Sequence, residues 1–330
     1  LAAYASARYP VRVPTPSPPS PPVLFHHDLV VATLASGSKG NSTYIGDARR
    51  GVLVDCGLST RQILQRKEDL GLGDARIEAV LLTHEHADHV GAARVLDDRL
   101  LKLQGERIPF YLTAGTDIGL PKRCRPQRRE RVSAGVAFQV AGLTIEPFTI
   151  PHDTRDPVGY AVQQGETRAG VITDLGRSTR LVERMVSQLD ICVLEFNHDL
   201  EMLMDGPYPW RLKQRVRGAH GHLSNAQAGE LLRCGASAKL RHLVLAHLSD
   251  DNNEPEVAYE AAQQALHAAG LTRVAVHVAE QRAPKGPFEV RAPLPLVEPT
   301  SAPRRRAARK AGPGRPASPA QLGMFASSFG

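Results

Sequence analysis

Between Thr83 and His89 the chain reads Thr-His-Glu-His-Ala-Asp-His, directly after the apolar run 79–82. A strand that ends in three histidines and a carboxylate has to present them at a sheet rim, so this heptapeptide constrains the fold more than any other segment. In extended backbone alternate side chains share a face, which sets His84, His86 and Asp88 on one side. The amphipathic stretch from Val90 to Leu101 then starts a helix, and the turn into it brings His89 round. Three imidazoles and a carboxylate within six residues exceed what one metal ion needs, and such a set can serve two adjacent ions.

Other polar residues stand where further apolar runs stop. Asp55 closes 51–55, His152 follows 148–151, Asp174 follows 171–173 and His247 follows 243–246. Singly, each is an ordinary strand-end residue; four of them behind one His-rich loop point to a shared site. The β-patterned runs are 29–34, 43–45, 52–55, 79–83, 110–113, 136–140, 143–150, 159–163, 168–173, 191–195, 242–247 and 273–278. Helical patterns cover 60–70, 88–101, 179–189, 225–234 and 255–269. Meandering strands with peripheral helices fit a layered α/β fold, expected here as one domain over 29–282.

Charge and composition sort the rest of the chain. Seven of the 25 prolines lie between Pro10 and Pro22, and nine between Pro284 and Pro319. Residues 1–28 therefore read as a Pro-rich disordered leader, and 283–330 as a basic Pro/Ala/Arg-rich disordered tail. That tail carries eight Lys/Arg against two Glu, whereas 29–282 holds 31 basic and 31 acidic side chains. The formal +7 thus belongs almost wholly to an appendage, which excludes a protein that coats nucleic acid through overall charge. No apolar run approaches the roughly 18–20 residues that span a bilayer, so no membrane association is expected. The leader has no apolar signal-peptide core. Four scattered cysteines without a CxxC pair suit a reducing, cytoplasmic setting.

The order Asp55, His84-x-His86-x-Asp88-His89, His152, Asp174, His247 resembles that of the metallo-β-lactamase-fold hydrolases. Resemblance to their YycJ/WalJ-like bacterial branch is closer. It is carried by Leu34-Ala-Ser-Gly-Ser-Lys-Gly-Asn41, His152-Asp153 with Pro157-Val-Gly-Tyr160, Thr173-Asp-Leu-Gly176 and Glu195-Phe-Asn-His-Asp199. Gly206-Pro-Tyr-Pro209, Gly221-His-Leu-Ser-Asn225 and His247-Leu-Ser249 with Asn252-Asn253 extend it. The resemblance implies an αββα sandwich with two divalent metal ions, Zn²⁺ or Mn²⁺, in a cleft at the sheet edges. Carried over residue by residue, His84, His86 and His152 would hold one ion; Asp88, His89 and His247 would hold the other; Asp174 would bridge. Asp55 would orient ligands or bound water, and Asp88 would serve the chemistry as well as the metal. The implied activity is DNA hydrolysis of the 5′-to-3′ exonuclease kind. Two divalent ions, less two carboxylates and a hydroxide, leave a positive centre that attracts a phosphodiester.

Weaker signals bear on the substrate. The Gly/Ser-rich loop 36–42 reads either as a simple turn or as an active-site loop whose N–H groups face a phosphate. It lacks the order of a nucleotide P-loop. His222 reads either as part of a capped helix start, with Ser224 or Asn225 as N-cap, or as a group that contacts phosphate or protonates a leaving 3′-oxygen. His198 is a further candidate. Residues 122–131 hold six basic side chains and Glu130, and 211–217 hold four and no acid; both read as solvated surface or as phosphate contacts. The peptide Gln321-Leu322-Gly323-Met324-Phe325 resembles the short segments by which bacterial DNA enzymes dock on the replication sliding clamp. Hydrolysis of RNA or of a small ester or thioester is the alternative within the same fold. A metal-binding regulatory or interaction protein is the alternative outside it.

Overall fold

Strand alternation dictates the layering in the computed structural model, which describes residues 29–290. In β3 (Arg50–Val54) Val52 and Val54 face one layer and Leu53 the other; in β4 (Arg76–Leu81) Ala79 and Leu81 oppose Ile77 and Val80. The same split runs through β11 (Ile191–Glu195) and β12 (His242–Ala246): Val193, Val244 and Ala246 turn inward, while Cys192, Leu194, Leu243 and Leu245 turn outward. Strands apolar on both faces have to be covered on both.

One seven-stranded sheet runs in the order β14-β1-β2-β3-β4-β5-β6. It adds β1 (Leu29–Ala35), β2 (Ser42–Gly46), β5 (Phe110–Thr113), β6 (Arg129–Val132) and β14 (Lys285–Val290). The second runs β13-β12-β11-β10-β9-β8-β7. It adds β7 (Phe138–Val140), β8 (Leu143–Thr149), β9 (Val158–Gln164), β10 (Thr167–Ile172) and β13 (Ala275–Val278). The sheets pack face to face through one core, and two further cores join them to outer helices. α1 (Thr60–Asp69) and α3 (Ala93–Gln104) cover the first sheet; α5 (Arg180–Val186), α8 (Asn225–Gly235) and α9 (Pro255–Ala268) cover the second. The architecture is the expected αββα sandwich. α1 and α8 start on capping boxes, Ser59 with Gln62 and Ser224 with Gln227. α2 (Ala87–Val90), α4 (Ala114–Gly119), α6 (Leu200–Asp205) and α7 (Trp210–Val216) are short pieces near the rim.

Three expectations need correction. The fold does not stop at residue 282, because β14 pairs antiparallel with β1 through Leu29↔Val290 and Val31↔Phe288, with Phe288 buried in the inter-sheet core. The helix expected over 88–101 is broken into α2 and α3. Its i→i−4 ladder fails where the Asp88 carbonyl accepts from Asn41 N–H (2.8 Å) and Ala92 N–H turns to the Cys56 carbonyl (2.9 Å). β6 is absent from the expected strands: the end of the basic run 122–131 forms an exposed edge strand paired with β5. The leader 1–28 and the peptide 321–325 lie outside the described residues.

Candidate metal centre

Parallel strands bring their carboxyl ends to one rim. β3 runs parallel to β4, and β10 to β11 and β12, so Asp55, the 83–89 loop, Asp174, Glu195 and His247 all emerge on the same side. Asp55, Asp174 and His247 take left-handed backbone, with φ of 62°, 58° and 56°. Non-glycine residues enter that region at some energetic cost, and such strain collects at functional sites. The three turns aim their side chains inward across the rim.

The structure brings together all seven residues expected as metal ligands. Donor atoms of His84, His86 and His152 form one group within 4.8 Å of one another; Asp88, His89 and His247 form another; His84, His89 and Asp174 form a third that joins them. Each buried ring is fixed through Nδ1. His89 Nδ1–H donates to Asp55 Oδ2 (2.7 Å), His247 Nδ1–H to Glu195 Oε1 (2.9 Å) and His152 Nδ1–H to the Gly221 carbonyl (3.2 Å). Thr83 donates its hydroxyl to Asp55 Oδ2 (2.9 Å), which leaves its oxygen to accept from His84 Nδ1–H (3.0 Å). Four Nε2 atoms therefore point at one another's neighbourhood, and His86 adds Nδ1, 3.3 Å from His152 Nε2.

This donor set fits divalent cations. His84 Nε2 and His247 Nε2 are buried without a hydrogen-bond partner, and each such orphan costs about 1–3 kcal/mol unless something satisfies it; Asp174 Oδ2 lies 3.0 Å from His89 Nε2, a nitrogen that carries no proton while Nδ1–H is on Asp55. Imidazole rings oriented by a carboxylate, hydroxyl or carbonyl on the far nitrogen are the usual form of a metal-binding histidine. Burial would raise Asp174, but His247 and then His89 hold it well below the usual carboxylate range, and Asp174 with its neighbouring carboxylates raises both of those rings in turn against burial, so this corner gathers positive charge around its carboxylates. Asp88 is likewise held low against burial, chiefly by His89. Burial pushes His84 and His152 down, so both rings stay neutral.

Asp55 lies behind the cluster: its Oδ1 accepts from Thr83 N–H (2.9 Å) and its Oδ2 from His89 Nδ1–H. His222 lines the cavity, with Nδ1–H on Glu195 Oε1 (2.8 Å). Against the downward effect of burial, Glu195 raises its pKa. Glu195 is the residue that sequence reading passed over. Fully buried, it holds His222 and His247 through Oε1 and accepts from Leu175 and Leu223 N–H through Oε2. The strand-end rule that picks out Asp55 picks it out too, since it closes the apolar run 191–194.

Other candidates fare differently. His198 is fully buried, away from the cavity lining, and burial holds its pKa at about 4. The loop 36–42 belongs to the site but does not offer a cradle of N–H groups. Gly37, Lys39, Gly40 and Asn41 N–H donate to Asn41 Oδ1, Gln281 Oε1, the Gly37 carbonyl and the Asp88 carbonyl. Its contribution is Ser36, which accepts from His247 N–H (2.7 Å), and Asn41, whose side-chain amide lies 3.1 Å from His89 Nε2. In the basic run 122–131, Arg129 and Arg131 converge on Asp117, and Arg128 pairs with Glu130. The cluster opens into a cavity of about 290 Å³ that His86, Asp88, Asp174, His222 and His247 line on one side and Ser38, Tyr208, Leu212, Arg215 and Val216 on the other. No helix among the described residues is long and apolar enough to cross a membrane.

Residues 50–248 match the family model described as the Beta-lactamase superfamily domain. The chain is 31% identical over 248 residues to Exodeoxyribonuclease YycJ of Bacillus anthracis, covering 74% of this chain and 91% of that one. It is 30% identical over 228 residues to Exodeoxyribonuclease WalJ of Streptococcus pneumoniae serotype 2, covering 68% and 84%. Among solved structures, the metallo-beta-lactamase fold protein YhfI from Bacillus subtilis superposes with a TM-score of 0.60 at 15% identity, over 80% of this chain and all of that one.

Proposed function

The chain belongs to the metallo-β-lactamase-fold hydrolases of the beta-lactamase superfamily, and on that premise we propose that it is a two-metal DNA phosphodiesterase, an exonuclease working 5′ to 3′. One observation carries the reading: four buried histidine rings are each anchored through Nδ1, so that their Nε2 atoms converge with His86 Nδ1, Asp88 and Asp174. In this reading His84, His86 and His152 would hold one ion, Asp88, His89 and His247 would hold the other, and Asp174 would serve both. Zn²⁺ and Mn²⁺ both suit histidine and carboxylate donors. When bound, such ions supply a nucleophile from water at neutral pH and stabilise charge on the phosphoryl group.

The chain's own residues do the rest. Asp55 and Glu195 lock the rings of His89 and His247. Asp88 keeps a quarter of its side chain exposed, at 25%, so its carboxylate would be open to accept a hydrogen bond from the attacking water. Glu195 holds His222 by Nδ1, which leaves the Nε2 proton facing the cavity to pass to the departing 3′-oxygen. The exodeoxyribonuclease names of two relatives at 30–31% identity support DNA as the substrate. The peptide 321–325 is proposed, on its sequence alone, as a tether to a sliding clamp; a 316–330 peptide that fails to bind purified clamp would remove that part.

The test is digestion of end-labelled duplex DNA by protein loaded with Mn²⁺ or Zn²⁺, beside matched RNA and a thioester. Stepwise loss of DNA from the 5′ end, abolished in His86→Ala and Asp88→Ala, is expected. Turnover of RNA or thioester with DNA left intact would overturn the substrate, and activity surviving in both variants would overturn the site.

A further inference from the structure

We propose that Gln281 is a positioning residue for one of the two ions only: it latches the loop 36–41, and through that loop sets the affinity of the Asp88, His89 and His247 group without touching the His84, His86 and His152 group. This rests on the two-ion reading above. Gln281 follows β13 and lies beyond every proposed ligand in sequence. Its side-chain amide spans the loop: Oε1 accepts from Lys39 N–H (2.8 Å) and Nε2–H donates to the Gly40 carbonyl (3.0 Å). One residue earlier, the Glu280 carbonyl accepts from Ser36 N–H (3.2 Å). The latch is itself held, because the Arg66 guanidinium of α1 donates to the carbonyls of Leu34 (2.9 Å), Gln281 (3.0 Å) and Arg282 (2.9 Å). Those bonds stitch the end of β1, where the loop begins, to the segment that grips it.

What the loop touches decides which ion. Ser36 Oγ accepts from His247 N–H (2.7 Å), and Asn41 N–H donates to the Asp88 carbonyl (2.8 Å). The Asn41 amide nitrogen lies 3.1 Å from His89 Nε2 and 3.4 Å from Asp88 Oδ2. These three ligands form one donor group. In the other group His84 is held by Thr83 and His152 by the Gly221 carbonyl, both outside the loop. Gly37 and Gly40 bracket Ser38 and Lys39, and two glycines in four residues make a loop costly to order on its own. The Gln281 amide, bonded at both ends, supplies that order before an ion arrives. Gly37 shows how close the fit is: its φ of 140° suits glycine, and a Cβ there would come within 2.8 Å of Gln281 Oε1.

The experiment uses the full chain, stripped of metal and titrated with Zn²⁺ against a chromophoric chelator. Wild type is expected to bind two ions. Gln281→Leu keeps the volume and removes both amide bonds; one ion should keep its affinity and the other weaken about tenfold, the low end for groups that orient metal-binding residues, since Gln281 acts through the loop. Gly37→Ala, which crowds the same amide from the loop side, should reproduce the loss. Gln281→Glu keeps the acceptor for Lys39 N–H and should fall between. Two backgrounds identify the ion: in His86→Ala the remaining ion should still weaken on Gln281→Leu, and in His247→Ala it should not. A purely structural Gln281 would weaken both ions alike in both backgrounds, which would overturn the proposal. So would affinities that stay unchanged throughout. If wild type binds one ion, the two-ion reading falls; the latch then stands where that ion is lost in His247→Ala and weakened in Gln281→Leu, and falls otherwise.

Discussion

Glu195 makes no exposed surface, yet two histidines of the site take their orientation from it. Glu195→Gln keeps the shape and removes the charge that fixes both Nδ1–H tautomers. We expect metal affinity to fall about 10–100-fold, as for other partners that orient metal-binding histidines, with far-UV circular dichroism unchanged; zinc competition with a chromophoric chelator reads it. Gly57 shows a different constraint. A Cβ built there would come within 1.6 Å of the Asp88 carbonyl oxygen, in the same stitched corner where Gly57 N–H donates to the Asn41 carbonyl and Cys56 N–H to the His89 carbonyl. Gly57→Ala should cost about 3 kcal/mol or more, at the upper end for overpacking, and urea denaturation measures it. The seven proposed ligands were legible because four crowd into residues 84–89 and the other three end apolar runs further along the chain, a combination that single strand-end residues do not make. His198 misled because composition cannot tell a core histidine from a cavity one. Arg215, in a run read as solvated surface or as phosphate contacts, is exposed and pairs with Asp153, 62 residues away in sequence, a partner no local pattern announces.

At the level of elements, the strands were legible wherever both faces are apolar and illegible where one element borrows stability from another. β14 contains Gly286, Pro287 and one buried apolar residue, Phe288, and its pairing with β1 comes from a segment more than 240 residues away. Phe288→Ala should cost about 3 kcal/mol, the lower figure for a buried phenylalanine, and lower the midpoint of urea unfolding. α4, α6 and α7, at six or seven residues, are too short for a periodic signature. Beside Phe288 two histidines meet across β12 and β13: His242 Nδ1 lies 3.1 Å from His277 Nε2, and the His277 ring is 4.2 Å from Phe288. Burial, then His242 and Lys285, hold His277 at about 4, and burial also lowers His242. Between that value and the ordinary 6.5 the unfolded chain binds more protons. Stability from this pair is therefore complete above about pH 6.5 and is lost as the pH falls towards 4. His277→Phe should show a smaller drop in melting temperature than wild type between pH 7.5 and 5, both without metal; an equal drop would place the acid sensitivity elsewhere.

For the molecule as a whole, the charge total was the least informative number and its placement the most. The region 29–282 is neutral, and the structure narrows its local excess further by pairing Arg128, Arg129 and Arg131 with Glu130 and Asp117. The donors for an ion are gathered at one rim, where two sheets end together and five nitrogen and two carboxylate donors converge. Fold class was legible from the alternation of short apolar strands and helices. The pairing of the chain's last described strand with its first was not, because no local pattern encodes it. The central claim is that this rim holds two divalent ions. Metal content of the purified protein after loading with Zn²⁺ and desalting, measured by mass spectrometry of the metal, tests it directly. The account predicts two equivalents per chain, falling to one or fewer in Asp174→Ala; one equivalent or none in the folded wild-type protein would contradict it.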